Sequence, residues 1–173
     1  MRWWPACRLQ TLVNGPEFPF FRGHRVFGNK PQRTNHLFSD IELSVFLMLE
    51  WHCEVTQIRE QFPLERDITR RLAGSAGIKH PNIAGIDQYM SSDFLVDSTD
   101  EEEPRFVLQA KHSSALSDVR TVEKVELERL YWQEKTLPWY LITEQDVPDV
   151  VTRNIKWLYS AQREETEDVE LAL

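Results

Sequence analysis

Chemistry is most concentrated at Gln109-Ala110-Lys111, which follows Asp93 by sixteen residues. The stretch Phe106-Val107-Leu108-Gln109-Ala110-Lys111 reads as a strand. Side chains alternate faces along a strand, so Val107, Gln109 and Lys111 share one side and Phe106, Leu108 and Ala110 the other. Asp93 opens a second apolar run, Phe94-Leu95-Val96. A carboxylate in that position is costly to bury without a partner or a metal. If the two strands pair as a hairpin, Asp93 converges on the face that carries Gln109 and Lys111. This is the layout of a D…(D/E)-x-K nuclease motif, whose oxygen ligands hold one or two divalent cations while the lysine orients or activates the attacking water. Magnesium suits such a site because it takes hard oxygen ligands and keeps several waters. Phosphodiester hydrolysis gains from a cation that polarises the phosphate and lowers the pKa of bound water. Gln109 departs from the usual acidic residue and offers a neutral carbonyl oxygen, so a second carboxylate is needed.

Glu42 is the candidate. Ser39-Asp40-Ile41-Glu42 also reads as a capping box, with Glu42 reaching back to the Ser39 amide. Yet Glu42 shares a helix face with Val45, Phe46 and Leu49, an apolar setting for an ordinary exposed cap. Cap and ligand both stand on the residues alone, and the D…Q-x-K spacing by itself is common among strands.

The elements that would position these groups follow from punctuation and periodicity. A helix is predicted from Ser39 or Asp40 to about Trp51, apolar almost all round and therefore buried. Val55 to Glu60 reads as a strand ended by Pro63, and Asp67 to Ala73 as a short amphipathic segment stopped by Gly74 and Gly77. Lys79-His80-Pro81 and Gly85 mark a loop. Extended segments follow at Tyr89 to Asp97 and Phe106 to Lys111, then a helix over Thr121 to Lys135, a strand over Trp139 to Thr143 and a last helix from about Val147 to Ser160. This order predicts a mixed α/β domain, a central sheet covered by helices on both faces. Residues 1–38 read as a basic N-terminal arm with one short strand near Arg25-Val26-Phe27, residues 39–160 as the catalytic domain, and residues 161–173 as an acidic C-terminal tail.

With 173 residues the chain suffices for one packed domain, burying roughly 70% of its unfolded surface. No apolar run approaches the roughly 20 residues that span a bilayer, and the N-terminus lacks the apolar core of a signal peptide, so a cytoplasmic protein is expected. Two cysteines without paired spacing read as reduced thiols, and the histidines form no zinc-ligand spacing. The net charge is −8, whereas nucleic-acid binders usually present a basic surface. The charge is uneven: residues 1–36 hold six basic residues against Glu17, a net of +5, which leaves −13 for the remainder.

Several segments together resemble the TnsA family. They are His36 to Leu47, Leu49-Glu50-Trp51, Ile58 to Leu64, Gly77-Ile78-Lys79-His80-Pro81, Asp87 to Asp97 and Gln109-Ala110-Lys111. The helix Arg120 to Arg129, Pro138-Trp139 and Asn154 to Ser160 continue the likeness. The resemblance implies a restriction-endonuclease-like core and a metal-dependent endonuclease that cleaves the 5′ ends of a transposon during cut-and-paste transposition. Its implied catalytic residues are Glu42, Asp93 and Lys111, and its metal ligands Glu42, Asp93 and Gln109, holding Mg2+ for which Mn2+ can substitute. Implied partners are double-stranded DNA at the transposon ends, a TnsB-like transposase that cuts and joins the 3′ ends, and a TnsC-like AAA+ ATPase. Gln109 is then the family's own choice. Lys79 and His80 match a family loop that could touch phosphate, against a turn-stabilising role before Pro81. Glu128 reads as an exposed salt-bridging residue, with support of the site as the other reading. The long type of the family carries a further C-terminal domain, so a short form is expected. Alternatives are a stand-alone restriction or repair nuclease of the same fold, and a non-catalytic bridging subunit.

Overall fold

A computed structural model describes residues 23–150 together with 153, 154 and 157. Phe20–Val147 forms one compact unit, to which everything below refers. The acidic tail and half of the last predicted helix lie outside the described residues, as do residues 1–22 of the basic arm.

A four-stranded sheet forms the centre, in the order β3 (Val55–Pro63), β6 (Ser91–Ser98), β7 (Arg105–Ala110), β8 (Trp139–Ile142). β6 runs antiparallel to both β3 and β7, whereas β7 and β8 are parallel, so the sheet is mixed. The parallel pair requires a crossover. It is supplied by a 3₁₀ turn over Ser113–Ser117 and by α3 (Val119–Glu134).

Helices cover the two faces. α1 (Asp40–Trp51) begins where extended Ser39 accepts the Glu42 N–H on its hydroxyl, and it buries every residue from Ser44 to Leu49. Its Phe46 stacks on Phe94 of β6 with ring centroids 6.5 Å apart. On the other face, Leu95 and Val107 pack with Leu64 and with Tyr131 and Trp132 of α3. Burying each such side chain contributes roughly 1.5–3 kcal/mol, so the two layers hold β6 and β7 from both sides.

Two additions were not legible in the sequence. The predicted strand near Arg25 is β1 (His24–Gly28), and it pairs with a second strand, β2 (Arg33–Leu37). This hairpin is clamped to the end of α1: Lys30 Nζ donates to the Leu49 carbonyl at 3.0 Å and to that of His52, while Glu50 accepts the Asn29 and Lys30 amides. A cation on the last carbonyls of a helix complements its dipole. The loop after Lys79 contains a small hairpin, β4 (Asn82–Ile83) with β5 (Ile86–Asp87). Before it, α2 (Arg66–Ala76) stops at Gly77, whose φ of 67° is left-handed and suits glycine.

Candidate active site

The strands β6 and β7 part at the residues singled out in the sequence. Their register runs from Asp97↔Arg105 to Phe94↔Leu108 and stops there. Beyond it, side chains take the place of the ladder. The Gln109 Oε1 accepts the Asp93 N–H at 3.1 Å, and the Asp93 Oδ2 accepts the Ala110 N–H at 2.8 Å. Meanwhile β7 stays paired to β8 through Gln109↔Leu141 and Ala110↔Ile142, and the Lys111 N–H donates to the Ile142 carbonyl. Both buried amides that the parting would orphan are thereby satisfied. The Lys111 ammonium reaches back to lie 3.5 Å from Asp93 Oδ2 and bonds the Ala110 carbonyl at 3.0 Å.

Glu42 enters from α1 and is buried. It does make a reciprocal capping arrangement, but with different partners from those expected. Its Oε2 accepts the Phe38 amide at 2.9 Å, not the Ser39 amide, and its Oε1 accepts the Ser39 hydroxyl at 2.9 Å. The expected cap and an inward-facing carboxylate are therefore the same side chain. Burial, and then the nearby Asp93 charge, raise the Glu42 pKa, opposed by the Phe38 and Ser39 hydrogen bonds and by Lys111. Burial likewise raises that of Asp93, against the pull of Lys111 and the Ala110 amide. Two buried carboxylates that disfavour each other's charge, with one ammonium beside them, make a site short of positive charge.

Gln61 was not singled out in the sequence. It sits in β3 between the pairs Glu60↔Phe94 and Phe62↔Ser92, opposite Asp93. Its φ is 49°, a left-handed value that costs a non-glycine residue on the order of 1–3 kcal/mol. Its Nε2 donates to Glu42 Oε2 at 3.3 Å and its Oε1 accepts the Ser91 hydroxyl at 3.0 Å. The same side chain lies near enough to Asp93 to favour the ionised form of that carboxyl. Nearby, strand alternation slips. Phe94 faces α1, yet Ser92, two residues earlier, bonds side chains of α3.

Glu128 corrects the exposed reading, being 3% exposed in α3. Its Oε1 accepts the Ser92 hydroxyl at 2.6 Å and the Trp139 indole N–H at 3.0 Å, and Ser92 Oγ in turn accepts the Trp132 indole N–H at 2.7 Å. Burial, partly opposed by the Ser92 and Trp139 hydrogen bonds, pushes its pKa up to about 8. The sequence signal was its position four residues before Trp132 and next to Leu127, on the buried stripe rather than on the charged one.

The loop residues separate. The His80 ring is engaged, with Nε2 2.9 Å from Thr69 Oγ1 and Nδ1 3.1 Å from the Pro81 carbonyl, so it braces the turn. Lys79 is exposed.

Among the described residues no group of three or more His, Cys, Asp or Glu gathers in a metal-holding arrangement. The donors on hand are the Glu42 and Asp93 carboxylates and the Gln109 amide oxygen, which has a second lone pair beyond the one facing Asp93. Two carboxylates and neutral oxygen fit a hard cation that retains water, as Mg2+ does. They do not fit zinc, which takes nitrogen and sulfur ligands.

A mixed sheet between helices, parted around a carboxylate pair with Q-x-K on the adjoining strand, defines an α/β protein with a restriction-endonuclease-like core. The model of the TnsA-like endonuclease N-terminal family matches residues 52–144, more than half of the chain, and the chain belongs to that family. The matched span includes Asp93, Gln109, Lys111 and Glu128. The transposition protein TnsA of transposon Tn7 from Escherichia coli is 53% identical over 144 residues, covering 83% of this chain and 53% of that protein. The chain thus spans about half the length of the curated relative it matches. No helix among the described residues is long and apolar enough to cross a membrane.

Proposed function

We propose that this chain is a metal-dependent DNA endonuclease that cleaves the 5′ ends of a transposon during cut-and-paste transposition. In this reading it works in the bacterial cytoplasm with a TnsB-like transposase and a TnsC-like AAA+ ATPase. The observation that carries the reading is the pair of buried carboxylates, Glu42 and Asp93, with the Lys111 ammonium 3.5 Å from the second of them.

Glu42, Asp93 and the Gln109 oxygen would hold Mg2+, with Mn2+ able to substitute. When bound, the cation supplies polarisation of the scissile phosphate and a more acidic coordinated water. Lys111 places its ammonium beside Asp93 and stabilises charge that builds on the phosphorus oxygens as the water attacks. It also favours the ionised form of Asp93. Glu128, protonated at neutral pH, holds Ser92 at the head of β6 without adding a third negative charge to the site. Lys79, exposed on its loop, is assigned to DNA phosphate, and His80 orients that loop.

The test is cleavage of end-labelled transposon-end DNA by the assembled subunits in Mg2+, comparing wild type with Asp93→Ala. The expected result is loss of 5′-strand cutting while the partner continues to cut the 3′ strand. A variant that still nicks the 5′ strand refutes the site, and full activity in excess chelator refutes the metal.

A further inference from the structure

We infer that Gln61 is a positioning residue, whose side-chain amide, delivered by a left-handed backbone turn inside β3, spans Glu42 and Asp93 and holds them as a pair for one divalent cation. The inference rests on the metal-site reading above and assigns a role that the D…Q-x-K pattern does not contain.

Two independent observations support it. The first is the backbone. Four non-glycine residues among those described have positive φ: Gln32, Gln61, Ala84 and Thr136. Gln32 and Ala84 lie in turns between strands and Thr136 just after α3, which leaves Gln61 as the one inside a strand. Glycine adopts this φ without strain. A bend wanted only for its shape would be served by glycine, so a glutamine there points to its side chain.

The second is where that side chain goes. An amide nitrogen has two hydrogens and can donate to two acceptors. Gln61 donates to Glu42 from α1 and faces Asp93 of β6, two elements that no backbone ladder joins, while Ser91 fixes the amide by donating to its oxygen. Its effect on Asp93 is to favour the ionised carboxylate. The amide is neutral, which decides between the alternatives. A lysine or arginine in its place would neutralise the carboxylates and compete with the incoming cation. A glutamate would add a third repelling charge and could not donate. An apolar residue would leave the carboxylates to swing apart. A neutral double donor holds both while leaving their net charge available.

The experiment uses the full chain and Mn2+ alone as probe, counted by the electron-paramagnetic-resonance signal of the free ion. Two variants divide the contributions. Gln61→Gly removes the amide and relieves the backbone, and Gln61→Met removes the amide and keeps the bulk and the backbone demand. Both are expected to weaken Mn2+ binding by about tenfold, the lower end for loss of a group that orients metal ligands. Urea unfolding in chelator should show Gln61→Gly at least as stable as wild type, an outcome that a purely structural role for the side chain does not give. Wild-type Mn2+ affinity in either folded variant overturns the inference, provided that Asp93→Ala has lost binding. If Asp93→Ala binds Mn2+ as wild type does, the metal-site reading itself fails and takes the Gln61 role with it.

Discussion

Exchanging Glu128 for glutamine changes one atom in a buried carboxyl, and the effect should depend steeply on pH. In the wild type, Oε1 is already the acceptor for Ser92 and for Trp139, so the proton that the group carries at neutral pH resides on Oε2. Glutamine keeps the Oε1 acceptor and replaces the O–H by an NH2. Burial lifts the pKa from the ordinary 4.5 to about 8. Between those values the folded chain keeps a proton that the unfolded chain has released, so stability falls as pH rises. The slope is about 1.4 kcal/mol per pH unit, and it levels off above the folded pKa. The glutamine variant lacks this term while all other groups titrate as before. Relative to wild type, its stability should therefore rise by about 2–3 kcal/mol on going from pH 6 to pH 8. Urea unfolding followed by far-ultraviolet circular dichroism, in chelator at both pH values, measures the difference. A stability gap between the two proteins that is the same at pH 6 and pH 8 refutes the assignment of a neutral, buried Glu128.

Two further outcomes follow from the same geometry. Lys111→Met removes the charge that favours ionised Asp93. Cutting of the 5′ strand should drop by about 100-fold or more, as on loss of a transition-state charge partner. The acid limb of the remaining activity should move to higher pH, because Asp93 then ionises later; a limb at the wild-type position argues against the pairing. Asp93→Ala and Asp93→Asn should both be inactive yet differ in stability. Alanine strands the buried Ala110 N–H, at a cost of about 1–3 kcal/mol, whereas asparagine can still accept it. Equal unfolding midpoints for the two would mean that the Asp93–Ala110 bond does not form.

The parts of this molecule that the sequence made legible are those encoded by local patterns. Ser39 ahead of a long apolar run marks the start of α1. The apolar blocks at Phe94 and Phe106 mark the central strands, and their hairpin pairing brings Asp93 onto Gln109 and Lys111. What stayed hidden depends on contacts between distant segments. β2 carries only Asn35 and Leu37 inward among exposed polar neighbours, too weak an alternation to announce a strand. Glu128 lies in a run dense in charge, where Val122 and Val125 suggest a buried face that the helix does not use: Val122 is 44% exposed, and Leu127, Glu128, Tyr131 and Trp132 go inward. Gln61 gives no local cue at all, because nothing in Glu60-Gln61-Phe62 calls for a left-handed residue. The carboxylates it faces, Glu42 and Asp93, lie nineteen and thirty-two residues away in the chain.

The chain that runs from the Trp132 indole through Ser92 to Glu128, and from Trp139 to the same carboxyl, has an optical consequence. Two of the six tryptophans have their N–H groups tied, directly or through one hydroxyl, to a single carboxyl that changes charge near pH 8. An indole excited state is sensitive to the charge its N–H faces. The intrinsic emission is therefore expected to shift as pH passes about 8, reporting on the head of β6 with no label to attach and no substrate to add.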